Sequence, residues 1–463
     1  MTEVLHHRTS AAPQHARGLE LIGEYKGSGY KETTYLLRRS DGQVIQASHL
    51  IYLVASYVDG QSGYEQIAER VSGDLGRPVS AESIRFVVEE RLRPYGVIAQ
   101  EDGSVPEKLE RSSPLLGLRF RVGLVPERVV VTVASVFWPL FLAPVVVITL
   151  GGLLALDVWL LFFHGITQSV DEVIDQPLLI LASSVLFTVA TAFHEIGHAS
   201  ASRYGGAKPS KIGAGFYLVF LVFYSDVTDT YRLSKAGRLR TDLGGVYFDA
   251  LFALLMAGAY FLTGFEPLLI GVVLIQLDIL EEFEPFARFD GYYVVSDLTG
   301  VPDLFKYIKP VLKSLVPFWE TDERVRELKP WARGAVGAWV LTTVPILLAL
   351  TVVTLYWLPW LLANTWESFL GHYGETSGAF AAGRVLDGMV GLLEIGILLT
   401  PVAGGVLFAA LAGKRLGAAT WRWLRDLDWE AVSRLVPWGR GGSGAVEGIT
   451  TVRAGATPHS QGE

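Results

Sequence analysis

From residue 128 onward the chain keeps returning to apolar runs of 20 or more residues. A helix needs about 20 such residues to cross the hydrocarbon core of a bilayer. Six segments qualify, with soft edges: 129–155, 177–200, 244–263, 267–289, 334–362 and 386–413. Composition agrees, since half the residues are hydrophobic and only 19% are charged, a shift away from ordinary soluble domains. Lys and Arg cluster before the first segment, between the second and third, between the fourth and fifth, and after the sixth. The loop 168–176 and the stretch around Glu367 and Glu375 lack such clusters. The positive-inside rule then predicts a multi-pass protein of a bacterial-type plasma membrane, with both termini cytoplasmic and lipid as a partner. The polar N-terminus has no apolar core of the signal-peptide kind, which fits a cytoplasmic start. A net charge of −8 argues against nucleic acid as a main partner. With no cysteine there is no disulfide framework and no thiolate metal site.

Before residue 128 the sequence reads as soluble. ETTYLLRRSDGQVIQAS predicts two strands joined at Asp41-Gly42. Three helical patterns follow, ending at Asp59-Gly60, Gly76 and Gly96, the third opening at Ser80 and Glu82. The expected fold is therefore mainly α, with about six transmembrane helices and a small α+β, winged-helix-like N-terminal domain. The expected division is a flexible tail over 1–19, that domain over 20–102, a linker over 103–127 and a membrane-embedded domain over 128–415. An amphipathic juxtamembrane segment over 416–439 and a disordered tail over 440–463 complete it.

The chemistry concentrates in TAFHEIGHASASRYGG, residues 191–206. His194 and His198 lie four apart, so a helix projects both from one face. Both imidazoles can then reach one ion, and Glu195 can meet a water on it. This HExxH arrangement is that of zinc hydrolases, in which the carboxylate takes the proton of the water. An ordinary pair of polar residues at a helix end is the bland alternative, weakened by the cost of ionisable groups in a span. A catalytic zinc usually takes a third protein ligand and keeps one position open. No His follows within thirty residues. Asp226 and Asp229 are possible third ligands in a segment where solvated carboxylates are ordinary. The fourth segment reads LIQLDILEEFEPFARFDGYYVVSDL and holds Asp278, Glu281, Glu282, Glu284, Arg288 and Asp290. Each charge at a helix centre costs about 2.5–3.5 kcal/mol on the insertion scale. This stretch must line a polar interior, with Pro285 breaking the helix. Asp290, presented at a turn before Gly291, is the third ligand chosen here.

HEIGHA at a span end, followed roughly ninety residues later by EPFARFDGYYVVSDL, resembles the site-2-protease family of membrane metalloproteases. The branch it is most similar to is that of the peptide zinc metalloproteases. The resemblance covers roughly 128–300, and YRLSKAGRLRTDLGG before the third segment shares it. It implies one Zn2+ per chain on His194, His198 and Asp290, with Glu195 as general base. One departure is Glu284, which stands where the family has Asn before Pro. Glu284, Arg288 and Asp249 are candidates for contacts to a ligand residue or to substrate. The soluble segment resembles the small leader-peptide-recognition domain of pyrroloquinoline quinone biosynthesis. That resemblance implies binding of a precursor peptide's leader as an added strand, at an edge within 33–48 beside the helix 80–95.

Together these readings predict a zinc endopeptidase that cuts near the cytoplasmic face of the membrane. The expected reaction removes the leader from a ribosomally made, modified peptide. The alternatives are an intramembrane protease that cleaves a transmembrane regulator of the anti-sigma-factor kind, and a non-catalytic adaptor for peptide export. Residues 213–229, right after the motif, carry β-type residues and are expected to form a hairpin that clamps extended substrate. His164 and His372 read as interfacial and outer-loop residues. Oligomeric state is not legible.

Overall fold

The computed structural model of the protein describes residues 12–100, 119–165, 177–217, 219–315 and 321–425. The chain groups into residues 1–409 and a short C-terminal unit from Ala410, of which only a helix end to Arg425 is described. The amphipathic segment expected over 416–439 and the tail after it therefore lie largely outside the described residues.

The N-terminal domain opens with a three-stranded antiparallel sheet, β1 (Glu20–Glu24), β2 (Thr34–Arg38) and β3 (Val44–Ser48), in that spatial order. β2 and β3 form the expected hairpin, and Gly42 supplies the positive φ of 80° that the turn needs. Three helices follow: α1 (His49–Tyr57), α2 (Tyr64–Leu75) and α3 (Ala81–Val87), the last running on as a wider turn to Leu92. Ser80 caps α3 by accepting the Ser83 N–H at 3.1 Å, and α2 stops at left-handed Gly76. One face of each element meets in a core of Leu37, Val54, Ile67, Val71, Ile84 and Val88. β1 was not foreseen, because a bulge between Leu21 and Gly23 breaks its alternation. The tail expected over 1–19 is partly ordered: Ala16 donates to the Val97 carbonyl at 2.9 Å, and Ala99 donates to that of Gln14 at 2.9 Å.

The β1–β2 loop fastens this domain to the rest of the chain. Buried Tyr25 donates to Asp297 Oδ1 at 3.1 Å, and the fully buried Arg238 reaches the same oxygen at 2.8 Å. The Arg238 guanidinium lies 4.4 Å from the Tyr25 ring centre and donates to the Lys26 carbonyl at 3.0 Å. Burial, reinforced by Asp297, pushes the Tyr25 phenol up and keeps it protonated as a donor. Backbone bonds continue the seam, from Gly29 to the Gly300 carbonyl at 3.0 Å and from Lys31 to that of Glu327 at 2.8 Å.

Among the described residues, four helices are long and apolar enough to cross a membrane: Ala143–His164, Gly244–Thr263, Pro330–Ala381 and Val385–Arg415. The part of the chain that carries these helices begins with β4 (Arg119–Val125) and α4 (Glu127–Phe137), so the end of the expected linker is a strand. The single helix expected over 129–155 is two. Extended Leu142, between Pro139 and Pro144, separates α4 from α5 (Ala143–Trp159), which continues as a turn to His164. α6 (Pro177–Tyr204) fills the second expected place. A hairpin of β5 (Ile212–Tyr217) and β6 (Phe220–Ser225) follows, as expected, and β4 joins it to give the order β4-β5-β6. α7 (Lys235–Asp242) and α8 (Gly244–Thr263) come next. α9 (Pro267–Glu282), at 16 residues, ends ahead of the expected 289, because Pro285 cannot continue it. α10 (Asp290–Thr299) starts afresh on the other side of that break. α11 (Pro330–Ala381) runs for 52 residues through Pro345 and Pro359, so the outer loop expected around Glu367, His372 and Glu375 is helical. The chain turns at Gly383 into α12 (Val385–Arg425).

Candidate metal centre

α6 and α8 cross closely, and glycine makes the crossing possible. A Cβ on Gly197 would overlap the Gly244 carbonyl, and one on Gly244 would stand 2.9 Å from the Ala201 methyl. The crossing sets the motif on α6 against the first turns of α8. A Cβ on Gly245 would fall on His194 Nε2 itself. Gly245→Ala is therefore expected to displace the His194 ring. Affinity for a divalent metal ion should fall at least about tenfold, as for other changes that misorient a ligand, measured by competition with a chromophoric chelator.

His194 Nδ1 lies 2.6 Å from Asp249 Oδ2, and both residues are buried. His198 Nδ1 lies 2.7 Å from the Thr241 carbonyl at the end of α7. A carbonyl only accepts, so His198 carries a proton on Nδ1, and in the neutral ring Nε2 is then bare. The Asp249 carboxylate holds His194 in the same tautomer. The two bare Nε2 atoms face each other at 3.1 Å. Asp290 Oδ2 lies 3.4 Å from the first and 3.3 Å from the second. That oxygen is buried and takes no hydrogen bond. With both rings neutral, three lone pairs converge there, an arrangement that a cation among them would relieve. A tetrahedral ion with ligand bonds of about 2.0–2.1 Å places its ligand atoms about 3.3–3.4 Å apart. The two His–Asp separations match that figure and the His–His one is slightly shorter, and His194, His198 and Asp290 form a group able to hold a metal ion.

Asp290 reaches the centre because α9 ends at Glu282 and the chain re-enters as α10 with Asp290 as its first residue. Gly291 lets the turn close, since a Cβ there would overlap the Phe283 carbonyl. Glu282 Oε2 accepts the Asp290 N–H at 3.1 Å. Glu284, the candidate for such a contact, makes no bond to the three ligand residues among the described ones. Arg288 stands over the Tyr292 and Phe305 rings, 5.7 Å from each centre, and 3.5 Å from Asp303. The two other third-ligand possibilities are engaged elsewhere. Asp229 accepts the Lys208 N–H at 2.8 Å and pairs with Arg232 and Arg38, and Asp226 accepts from Thr228. Asp249 stands where the sequence placed a supporting residue. Asp249→Asn is expected to weaken metal binding about 10- to 100-fold, the usual cost of losing a carboxylate behind a ligand histidine.

Glu195 is buried beside the group, and the end of β6 reaches it: Ser225 Oγ lies 2.5 Å from Glu195 Oε2. The residues that sequence reasoning missed are Thr241, Ser225 and the specific role of Glu282. A main-chain carbonyl leaves no trace in a sequence, and a Ser closing an apolar strand is unremarked until the strand is placed. No family model matches this chain, and no curated protein or solved structure matches it.

Proposed function

We propose that the protein is a membrane-embedded zinc endopeptidase that hydrolyses a peptide bond near the cytoplasmic face. The observation that carries this reading is the convergence of the two Nε2 atoms and Asp290 Oδ2 with a carboxylate, Glu195, beside them. An imidazole and carboxylate set suits zinc, and three protein ligands leave one position open. A zinc ion bound there would polarise the scissile carbonyl and lower the pKa of a water toward ~7. Glu195 takes a proton from the attacking water at its carboxylate and passes it to the departing amide nitrogen as the C–N bond breaks. Asp249 and the Thr241 carbonyl hold the two imidazoles with Nε2 forward throughout.

An extended substrate has an edge to join. β5 lies between β4 and β6, so among the described residues β6 has one unpaired side. Asp226 bonds toward the β5 side, through Lys211 and Ser210. Antiparallel alternation then turns the main-chain groups of Ser225, Phe223 and Leu221 to the open side. A peptide added there is held as a strand next to Glu195.

The N-terminal domain supplies a second edge. β1 is flanked by residues 228–232, with Arg232 paired to Glu20, which among the described residues leaves β3 as the open edge of its sheet. α3 carries Phe86 with more than half its surface exposed. In this reading the leader of a precursor peptide adds to β3, and leader removal is the reaction. The six-span topology with cytoplasmic termini belongs to the same proposal.

The test is to incubate a library of leader-bearing peptides with the zinc-loaded full chain, or with its Glu195→Gln variant, and map new N-termini by mass spectrometry. Cuts made by the wild type and absent with the variant support the reading. A wild type that holds zinc and cuts nothing, in any peptide, favours the adaptor.

A further inference from the structure

The hydroxyl of Ser225 touches Glu195 twice. Its Oγ lies 2.7 Å from the Glu195 main-chain oxygen and 2.5 Å from Oε2. One hydroxyl hydrogen therefore serves two acceptors on the same residue, and the carboxylate is held against its own helical turn. No hydrogen bond to Oε1 is present among the described residues, so Oε1 is the oxygen left to meet other groups. A glutamate side chain has three free torsions and no fixed direction unless something holds it. The helix fixes where Glu195 starts, and the contact with β6 fixes where its carboxylate ends.

We propose that Ser225 is a positioning residue that aims the Glu195 carboxylate at the centre formed by His194, His198 and Asp290. This rests on the reading of Glu195 as the base. Ser225 also stands among the residues whose main-chain groups face the open edge of β6. Strand geometry separates the two duties, because main-chain groups lie in the sheet and the side chain stands out from it. One residue thus binds an added strand through its backbone and holds the base through its hydroxyl. Seating a substrate strand and orienting Glu195 become properties of one position. A threonine keeps the hydroxyl and suits a strand.

The experiment uses the full chain in detergent, loaded with cobalt, and titrates acetohydroxamic acid while following the visible absorption of the metal. This probe chelates the ion and must give its hydroxyl proton to a neighbouring acceptor, which Glu195 provides only when it is aimed correctly. Wild type, Ser225→Ala, Ser225→Thr and Glu195→Gln are compared, with cobalt content measured for each. The expected result is equal cobalt in all four, hydroxamate affinity about tenfold weaker for Ser225→Ala, and recovery in Ser225→Thr. Tenfold is the loss that one charge-assisted hydrogen bond accounts for. If Ser225→Ala binds hydroxamate like wild type while Glu195→Gln does not, the positioning role is overturned and the role of Glu195 stands. If Ser225→Ala loses cobalt, or Ser225→Thr fails to recover affinity, Ser225 acts through the fold instead and the proposal fails. If wild type holds no cobalt, or Glu195→Gln leaves affinity unchanged, the metalloprotease reading itself is wrong.

Discussion

Asp290→Ala and His194→Ala should each leave less than about a tenth of a zinc ion per chain after dialysis, against about one for the wild type. Removing either residue leaves two protein ligands on an ion that usually takes three and a water. The effect should be large for a second reason. The surviving groups are held by partners that do not move with the ion: Asp249 behind His194, the Thr241 carbonyl behind His198, and Glu282 at the Asp290 N–H. They cannot regroup around a displaced metal. Asp226→Ala is the control, since Asp226 is engaged with Thr228 and is expected to keep its zinc. Zinc measured by elemental analysis in all four proteins decides the matter. Full occupancy in Asp290→Ala would remove Asp290 from the ligand set.

Glu195→Gln should do the reverse, keeping about one zinc per chain and slowing peptide cleavage by about 100- to 10,000-fold. The amide matches the carboxylate in shape, and its oxygen can still accept from Ser225. What it lacks is the ability to take a proton from water. The measurement is initial rate on a peptide found by N-terminal mapping, beside metal content from the same preparation. Cleavage at the wild-type rate with zinc in place would assign the proton transfer to some other group.

The parts of the fold that sequence reveals are those governed by spacing. His194 and His198 announce themselves at four residues on a helix. Asp290 is reachable because charges cannot line a lipid face and Pro285 must break the helix. The Asp41-Gly42 turn and the ends at Gly76 and Gly96 follow from backbone conformations that glycine adopts easily. What sequence hides is pairing at a distance. β1 has a bulge in place of alternation, and β4 lies in a stretch that composition reads as linker. The choice between Glu282 and Glu284 depends on where α9 ends, a matter of one turn. Helix α11 outlasts the apolar run that reveals its first half, because polar residues such as Glu367 and Glu375 suit an exposed helix as well as a loop. The seam around Tyr25, Arg238 and Asp297 brings together residues more than two hundred positions apart, with no local pattern at either end.

On the leader-peptidase reading, that seam would make the chain a measuring device. Asp297 lies on the same short helix as Asp290, so the N-terminal domain is anchored to the element that begins with a residue of the candidate metal group. A leader held on β3 would then be a fixed distance from the point of cutting. An extended chain advances about 3.3 Å per residue. The number of residues between leader and cut is set by that span, and the side chains in between matter less than their count. Residues inserted ahead of the natural junction should move the cut by the number inserted, toward the leader and away from the junction.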